Sequence, residues 1–144
     1  MIDKFEGEFE FLSNFSNSPI EIALEKFPTV EHAFQAFKAE RKEDFIQIQH
    51  APTPGMAKRL GRRVQIRSDW EKIKLNVMEA CLRRKFMIPE LRDKLLMTED
   101  KILIEGNWWH DNFWGDCKCE KCQTILGRNN LGKLLMKIRT ELRK

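Results

Sequence analysis

Pro28-Thr29-Val30-Glu31-His32-Ala33-Phe34-Gln35-Ala36-Phe37-Lys38 is the stretch from which the rest of the chain is best read. Pro28 and Thr29 announce a helix running from about 30 to 43. Thr29 is its N-cap, because a threonine oxygen can satisfy a free N–H of the first turn. Val30, Phe34 and Phe37 recur at i, i+4 and i+7 and predict a buried stripe. Glu31, Gln35 and Lys38 have the same spacing and share a second face, about a quarter turn away. An acid, an amide and an amine in a row beside a buried stripe would project into a groove. A solvated helix face, with an acid at the positive end of the helix dipole, would give the same pattern.

Working outward, the N-terminal part reads as short strands. Phe5, Phe9 and Phe11 are spaced for one face of an extended segment, and residues 20–25 alternate with period two. Residues 13–19 between them carry turn chemistry. Thr53-Pro54 opens a short helix through Ala57 and Leu60 that closes at Gly61. Ser68-Asp69-Trp70-Glu71 has the form of a capping box. The helix behind it is expected to bury Trp70, Ile73, Val77 and Cys81 and to run to about Phe86. Pro89 opens a helix with Leu91, Leu95 and Leu96, Ile102-Leu103-Ile104 reads as a strand, and residues 106–129 are irregular. A last helix places Leu131, Leu134, Leu135, Ile138 and Leu142 on one face. The sum is an α+β fold, predominantly helical with a few short strands, in a single domain spanning 1–144.

Composition sets the class. The 144 residues are 42% hydrophobic and 33% charged, with 26 basic against 22 acidic side chains and a net charge of +4. That supports a core, excludes a disordered tail, and is too balanced for a general nucleic-acid binder. No apolar run approaches the roughly 20 residues of a membrane span, and no signal peptide is visible, so the expected location is cytoplasmic. The four cysteines agree with a reducing compartment, since Cys117, Cys119 and Cys122 are crowded while Cys81 stands alone.

Three further segments carry candidate chemistry. Residues 107–116 hold Trp108, Trp109 and Trp114 around Asp111, and a tryptophan plane can stack on a base. At least one of these tryptophans is also expected to plug the core. Gly127-Arg128-Asn129-Asn130-Leu131-Gly132 leads into the last helix, where free amides favour anions. Arg62, Arg63, Arg67, Lys74 and Lys85 supply basic groups, with arginine suited to a bidentate phosphate grip. Cys117, Cys119 and Cys122 have metal-ligand spacing, and His110 is the nearest fourth ligand for a structural zinc. Three reduced cysteines in a loop are the other reading.

Taken together, these pieces resemble the NADAR family. The matching motifs occur in order from about Phe11 to Leu142: Phe11-Leu12-Ser13-Asn14-Phe15; the Pro28–Lys38 stretch; Leu60-Gly61-Arg62; Ile66-Arg67-Ser68-Asp69-Trp70-Glu71; Arg84-Lys85-Phe86; Asp111-Asn112-Phe113-Trp114-Gly115; and Gly127–Gly132 with Leu135-Met136 and Arg139. The resemblance implies a hydrolase acting on N-glycosyl compounds, which cleaves the bond between ribose C1 and a nitrogen. Its substrate would be a phosphorylated ribosylamine of riboflavin synthesis or an ADP-ribosylated guanine base, in the latter case carried on DNA or RNA. Members of the family have a glycine-rich stretch after Trp-Gly, where this chain has its cysteine cluster.

Cleaving an N-riboside builds positive charge at C1 and the ring oxygen, so carboxylates beside the sugar stabilise the transition state. Glu31 and Asp111 are the two candidates. Glu31, near a helix N-terminus, suits charge stabilisation or water activation, whereas Asp111 among tryptophans suits proton donation; the two roles could be exchanged. Lys38 either forms a Schiff base with C1 or anchors a phosphate or hydroxyl. Trp114 and Trp109 are expected to stack on the base. Ser13, Asn14, Gln35, Gly115 and Asn129 are expected to contact ribose or phosphate, and Arg62 and Arg67 to grip phosphate. No cofactor is expected for catalysis. The alternative is a non-catalytic ADP-ribose or NAD reader, which would not need Glu31, Asp111 and Lys38 together.

Overall fold

The computed structural model describes residues 1–144. The fold is α+β and mostly helical, in agreement with the pattern of the sequence. The chain divides into a central unit, residues 14–87, and a terminal unit, residues 1–13 and 88–144.

In the central unit, β1 (Ile20–Ile22) and β2 (Glu25–Phe27) form an antiparallel hairpin with Ile20 opposite Phe27. The period-two stretch expected as one strand therefore folds back on itself. Ala23 and Leu24 turn the chain, both at positive φ (54° and 66°). Two left-handed residues in succession suit the twist of a tight hairpin, but neither is the Gly, Asn or Asp that would have announced it.

Thr29 caps α1 (Val30–Lys38) as expected, its Oγ1 accepting the His32 N–H at 3.1 Å. The helix stops at Lys38 rather than near 43. Ala39 becomes extended and pairs antiparallel with Ile66, while the Arg67 N–H donates to Lys38 O at 3.1 Å. A further helix that the sequence did not announce, α2 (Lys42–Gln49), follows; Arg41 gives it no side-chain cap, and only Ile48 is buried. Phe45 explains its position, because the Phe27, Phe37 and Phe45 rings form a cluster with centroids 5.4–5.7 Å apart. Such aromatic packing holds β2, α1 and α2 together.

Thr53 caps α3 (Pro54–Gly61), accepting the Met56 N–H at 3.1 Å. The capping box expected for α4 (Trp70–Lys85) does not form. Asp69 occupies the N-cap, yet its carboxylate is taken by Arg67, with Nε–Oδ1 at 2.6 Å and Nη2–Oδ2 at 3.1 Å. A bidentate guanidinium outcompetes a weak backbone N–H bond for those oxygens. Trp70 and Cys81 are buried as expected, but Met78 and Leu82 complete the core where Ile73 and Val77 are only half-buried.

In the terminal unit the phenylalanine pattern near the N-terminus belongs to a 3₁₀ helix, Gly7–Leu12, and not to a strand. Its i→i+3 bonds include Ser13 N–H to Glu10 O at 2.9 Å. Helix α5 (Pro89–Leu96) packs against α6 (Asn130–Leu142). Residues 102–104 contribute a single parallel bridge to Ile2 in place of a full strand. Two short parallel strands, β3 (Gly106–Asn107) and β4 (Asp116–Cys117), bracket the tryptophan loop. No helix is long and apolar enough to cross a membrane.

Candidate active site

The polar row of α1 is mostly buried. Glu31 and Gln35 are 6% and 7% exposed, which no solvated helix face would be. Gln35 Nε2 donates to Glu31 Oε1 at 3.1 Å, one turn along the helix. The other amide oxygen, Gln35 Oε1, is buried and accepts no hydrogen bond. It lies against the backbone of Gly61 so closely that any Cβ there would overlap it. Glycine is needed at this point for close approach.

The start of α1 is fixed from both sides. His32 is fully buried, with Nε2 donating to Ala51 O at 2.9 Å; Nδ1, also at 2.9 Å, then accepts from the Thr29 hydroxyl. Asn14 O accepts the Glu31 N–H at 3.1 Å, and Asn14 Nδ2 reaches Met78 Sδ at 3.5 Å. Asn14 Oδ1 is buried without a partner. Buried acceptors left unpaired in this way are uncommon and costly, so two of them close to one acid mark the region as more than packing.

Lys38 closes the row and is half-buried. Burial pushes its ammonium below the ordinary lysine value of 10.5; Glu31 opposes that shift and Arg62 adds to it. Perturbation by desolvation with a specific charge partner is the pattern of a functional amine. Arg62 lies at the C-cap of α3 and is exposed. Arg67 is engaged with Asp69, which it holds below the usual carboxylate range. A cavity of about 540 Å³ opens elsewhere in this unit, lined by Glu25, Glu40, Arg41 and His50 among others, and includes none of the residues singled out from the sequence.

The remaining candidates lie in the terminal unit. Ser13 follows the 3₁₀ helix. Asp111 Oδ1 accepts the N–H groups of Phe113 and Trp114 at 3.1 and 2.9 Å, closing a tight turn. Fully buried Asn107 organises the loop: its Oδ1 accepts from the Trp109 and Asp111 N–H groups, and its Nδ2 donates to Asp111 O at 2.8 Å. Gly115 is buried where a Cβ would collide with Glu105 and Asn107, so its small size serves the loop itself. Asn129 spends its side chain on the backbone, accepting from Glu105 N–H at 2.9 Å and donating to Leu103 O at 2.8 Å.

None of the three loop tryptophans is buried as a core plug. Trp108 and Trp109 are 61% and 55% exposed, and Trp114 is half-buried against Phe113 in a T-shaped pair with centroids 4.8 Å apart. Short backbone-anchored turns, not tryptophan burial, hold this segment. His110, Cys117, Cys119 and Cys122 come together, their ligand atoms within 4.8 Å of one another. Cys81 is buried in α4, its thiol pushed up to about 12 by burial.

Sequence reasoning missed His32, Gly61, Asn107 and Asn112. His32 had a signal, lying three residues after the cap it bonds; Gly61 and Asn112 act through contacts remote in sequence, and Asn107 through irregular local turns that no periodicity announces.

The family profile of the NADAR domain matches residues 3–143. The chain belongs to the NADAR family. It is 40% identical over 137 residues to an N-glycosidase of Nostoc punctiforme, covering 91% of this chain and 84% of that one. It is 38% identical over 139 residues to the N-glycosidase YbiA of Escherichia coli, covering 94% and 81%. The NMR structure of E. coli YbiA superposes with a TM-score of 0.84 at 35% identity, over 99% of this chain and 85% of that one. A chloroplastic riboflavin biosynthesis protein of Zea mays, PYRR, is 36% identical over 152 residues, which is 93% of this chain but 23% of that protein.

Proposed function

We propose that this chain is an N-glycosidase that hydrolyses the C1–N bond of a phosphorylated ribosylamine or of an ADP-ribosylated guanine. The observation that carries the reading is the buried Glu31–Gln35 pair on α1 with the partly desolvated Lys38 one turn further on. Relatives named as N-glycosidases and as a riboflavin biosynthesis protein support the same class of bond.

In the proposed reaction the C1–N bond breaks as positive charge grows on C1 and the ring oxygen, and the departing nitrogen takes a proton. The Glu31 carboxylate, held by Gln35, opposes that charge. In the covalent version the neutral Lys38 amine forms a bond to C1 as the base leaves, giving a Schiff base with the opened sugar. Water then adds to C1, Lys38 departs, and one water is consumed overall. In the other version Glu31 activates water directly and Lys38 binds phosphate or hydroxyl. Asp111, the second carboxylate read from the sequence, lies in the terminal unit, where its Oδ1 closes the Phe113–Trp114 turn, and the proton for the departing nitrogen comes from the water that is consumed.

The test is a side-by-side assay on a phosphoribosylamino-pyrimidine and on ADP-ribosyl-guanine DNA, following the released base and the free sugar. Release from either supports the proposal. Tight binding of ADP-ribose with no release from either substrate would instead support a non-catalytic reader.

A further inference from the structure

We propose that His110, Cys117, Cys119 and Cys122 bind one zinc ion, which fixes the tryptophan loop of the terminal unit and the head of α6. His110 Nδ1 lies 3.2 Å from Cys119 Sγ, 3.4 Å from Cys122 Sγ and 4.0 Å from Cys117 Sγ. The four ligand atoms all fall within 4.8 Å of one another. A tetrahedron with Zn–S of about 2.3 Å and Zn–N of about 2.0 Å has edges of roughly 3.5–3.8 Å. The observed spacings bracket those edges.

The chain takes on strain to bring the histidine in. His110 sits at φ 68°, a left-handed conformation that non-glycine residues rarely adopt. This aims Nδ1 at the three sulfurs. Two N–H groups also point at sulfur: the His110 backbone at Cys117 Sγ (3.3 Å) and the Asn112 side chain at Cys122 Sγ (3.4 Å). Such donors stabilise thiolates in a metal's outer shell. Soft thiolates with one imidazole, closed by four protein ligands, select zinc as a structural ion.

The consequence lies in what Asn112 and its neighbours hold. Asn112 Oδ1 accepts the Cys117 N–H at 2.9 Å, so one side chain ties β4 to the sulfur cluster. The carbonyls of Asn112, Phe113, Trp114 and Gly115 accept the N–H groups of Arg128, Asn130, Leu131 and Asn129 at 2.8–3.2 Å. These donors at the head of α6 would otherwise lack partners. Zinc is thus placed to stabilise, through Asn112, the loop that bears Asp111 and caps α6. This inference is independent of the N-glycosidase reading and is tested without an activity assay.

The full chain, purified under reducing conditions without added metal, is measured by native mass spectrometry and elemental analysis. One zinc per chain is expected, and a cobalt-loaded sample should show the intense visible bands of a tetrahedral thiolate site. Cys119→Ser and His110→Ala should lose stoichiometric zinc, and hydrogen exchange should rise at residues 112–131 when zinc is stripped. Substoichiometric metal in the parent chain, full metal retained in both variants, or a stable disulfide among the three cysteines with no cobalt spectrum would each overturn the proposal. Because the cobalt spectrum is read on the parent chain, a variant that fails to fold leaves the test intact.

Discussion

Gln35 donates its side-chain amide to Glu31 Oε1 at 3.1 Å while its own oxygen rests on the backbone of Gly61, so one glutamine links the acid of α1 to the end of α3. Three residues far apart in chemistry thereby form one support. The glycine sets the position of the amide, and the amide sets that of the carboxylate.

Gly61→Ala tests this linkage. The added methyl would overlap the Gln35 oxygen, and overpacking of this kind costs about 1–3 kcal/mol. We expect a lowered urea midpoint and, in the fraction that remains folded, turnover reduced about tenfold as Glu31 loses its fixed geometry. Wild-type stability together with wild-type turnover would show that the contact is loose.

Lys38 gives a pH test. Burial disfavours the ammonium, so the amine forms at lower pH than in a free lysine, whose value is 10.5. If Lys38 attacks C1, cyanoborohydride added during turnover should trap a sugar adduct on it. Trapping should climb with pH and reach half its maximum below 10.5. Lys38→Met should abolish the adduct. Unmodified protein at every pH would leave Lys38 as an anchor only.

The hairpin offers a stability test far from any proposed chemistry. Leu24 holds φ 66° and is 94% exposed, so it gains little packing for an unfavourable backbone. Leu24→Gly should stabilise the chain by about 1 kcal/mol, since a left-handed conformation costs a non-glycine residue roughly that much. Denaturant titration reads the shift, with turnover unchanged. A loss of stability would mean that Leu24 packs in a way its exposure does not indicate.

The helices were legible where local chemistry dictates them. Thr29 and Thr53 cap where a threonine should, and the apolar stripes of α1 and α6 are buried largely as their spacing requires. What could not be read depends on partners that residue type and spacing do not announce, some remote in sequence and some adjacent. Nothing in Ala39 announces its bridge to Ile66, which ends α1 early, and nothing in Ser68-Asp69-Trp70-Glu71 reveals that Arg67 takes the capping carboxylate. The spacing of Glu31, Gln35 and Lys38 put them on one face, but only the fold shows that this face is buried in place of being solvated. Asn107 carried no signal at all, although five hydrogen bonds with Glu105, Trp109 and Asp111 depend on its side chain.

In the proposed reaction the Glu31 carboxylate stabilises charge as a C1–N bond breaks. Glu31→Gln is nearly isosteric and can keep a hydrogen bond to Gln35, so folding should be preserved. The decisive measurement is single-turnover hydrolysis by this variant on whichever of the two substrates the parent cleaves, with the melting temperature recorded alongside. A loss of about a thousandfold or more at an unchanged melting temperature is predicted, the scale expected when a preorganised electrostatic group is removed. Turnover within a few-fold of the parent would contradict the account.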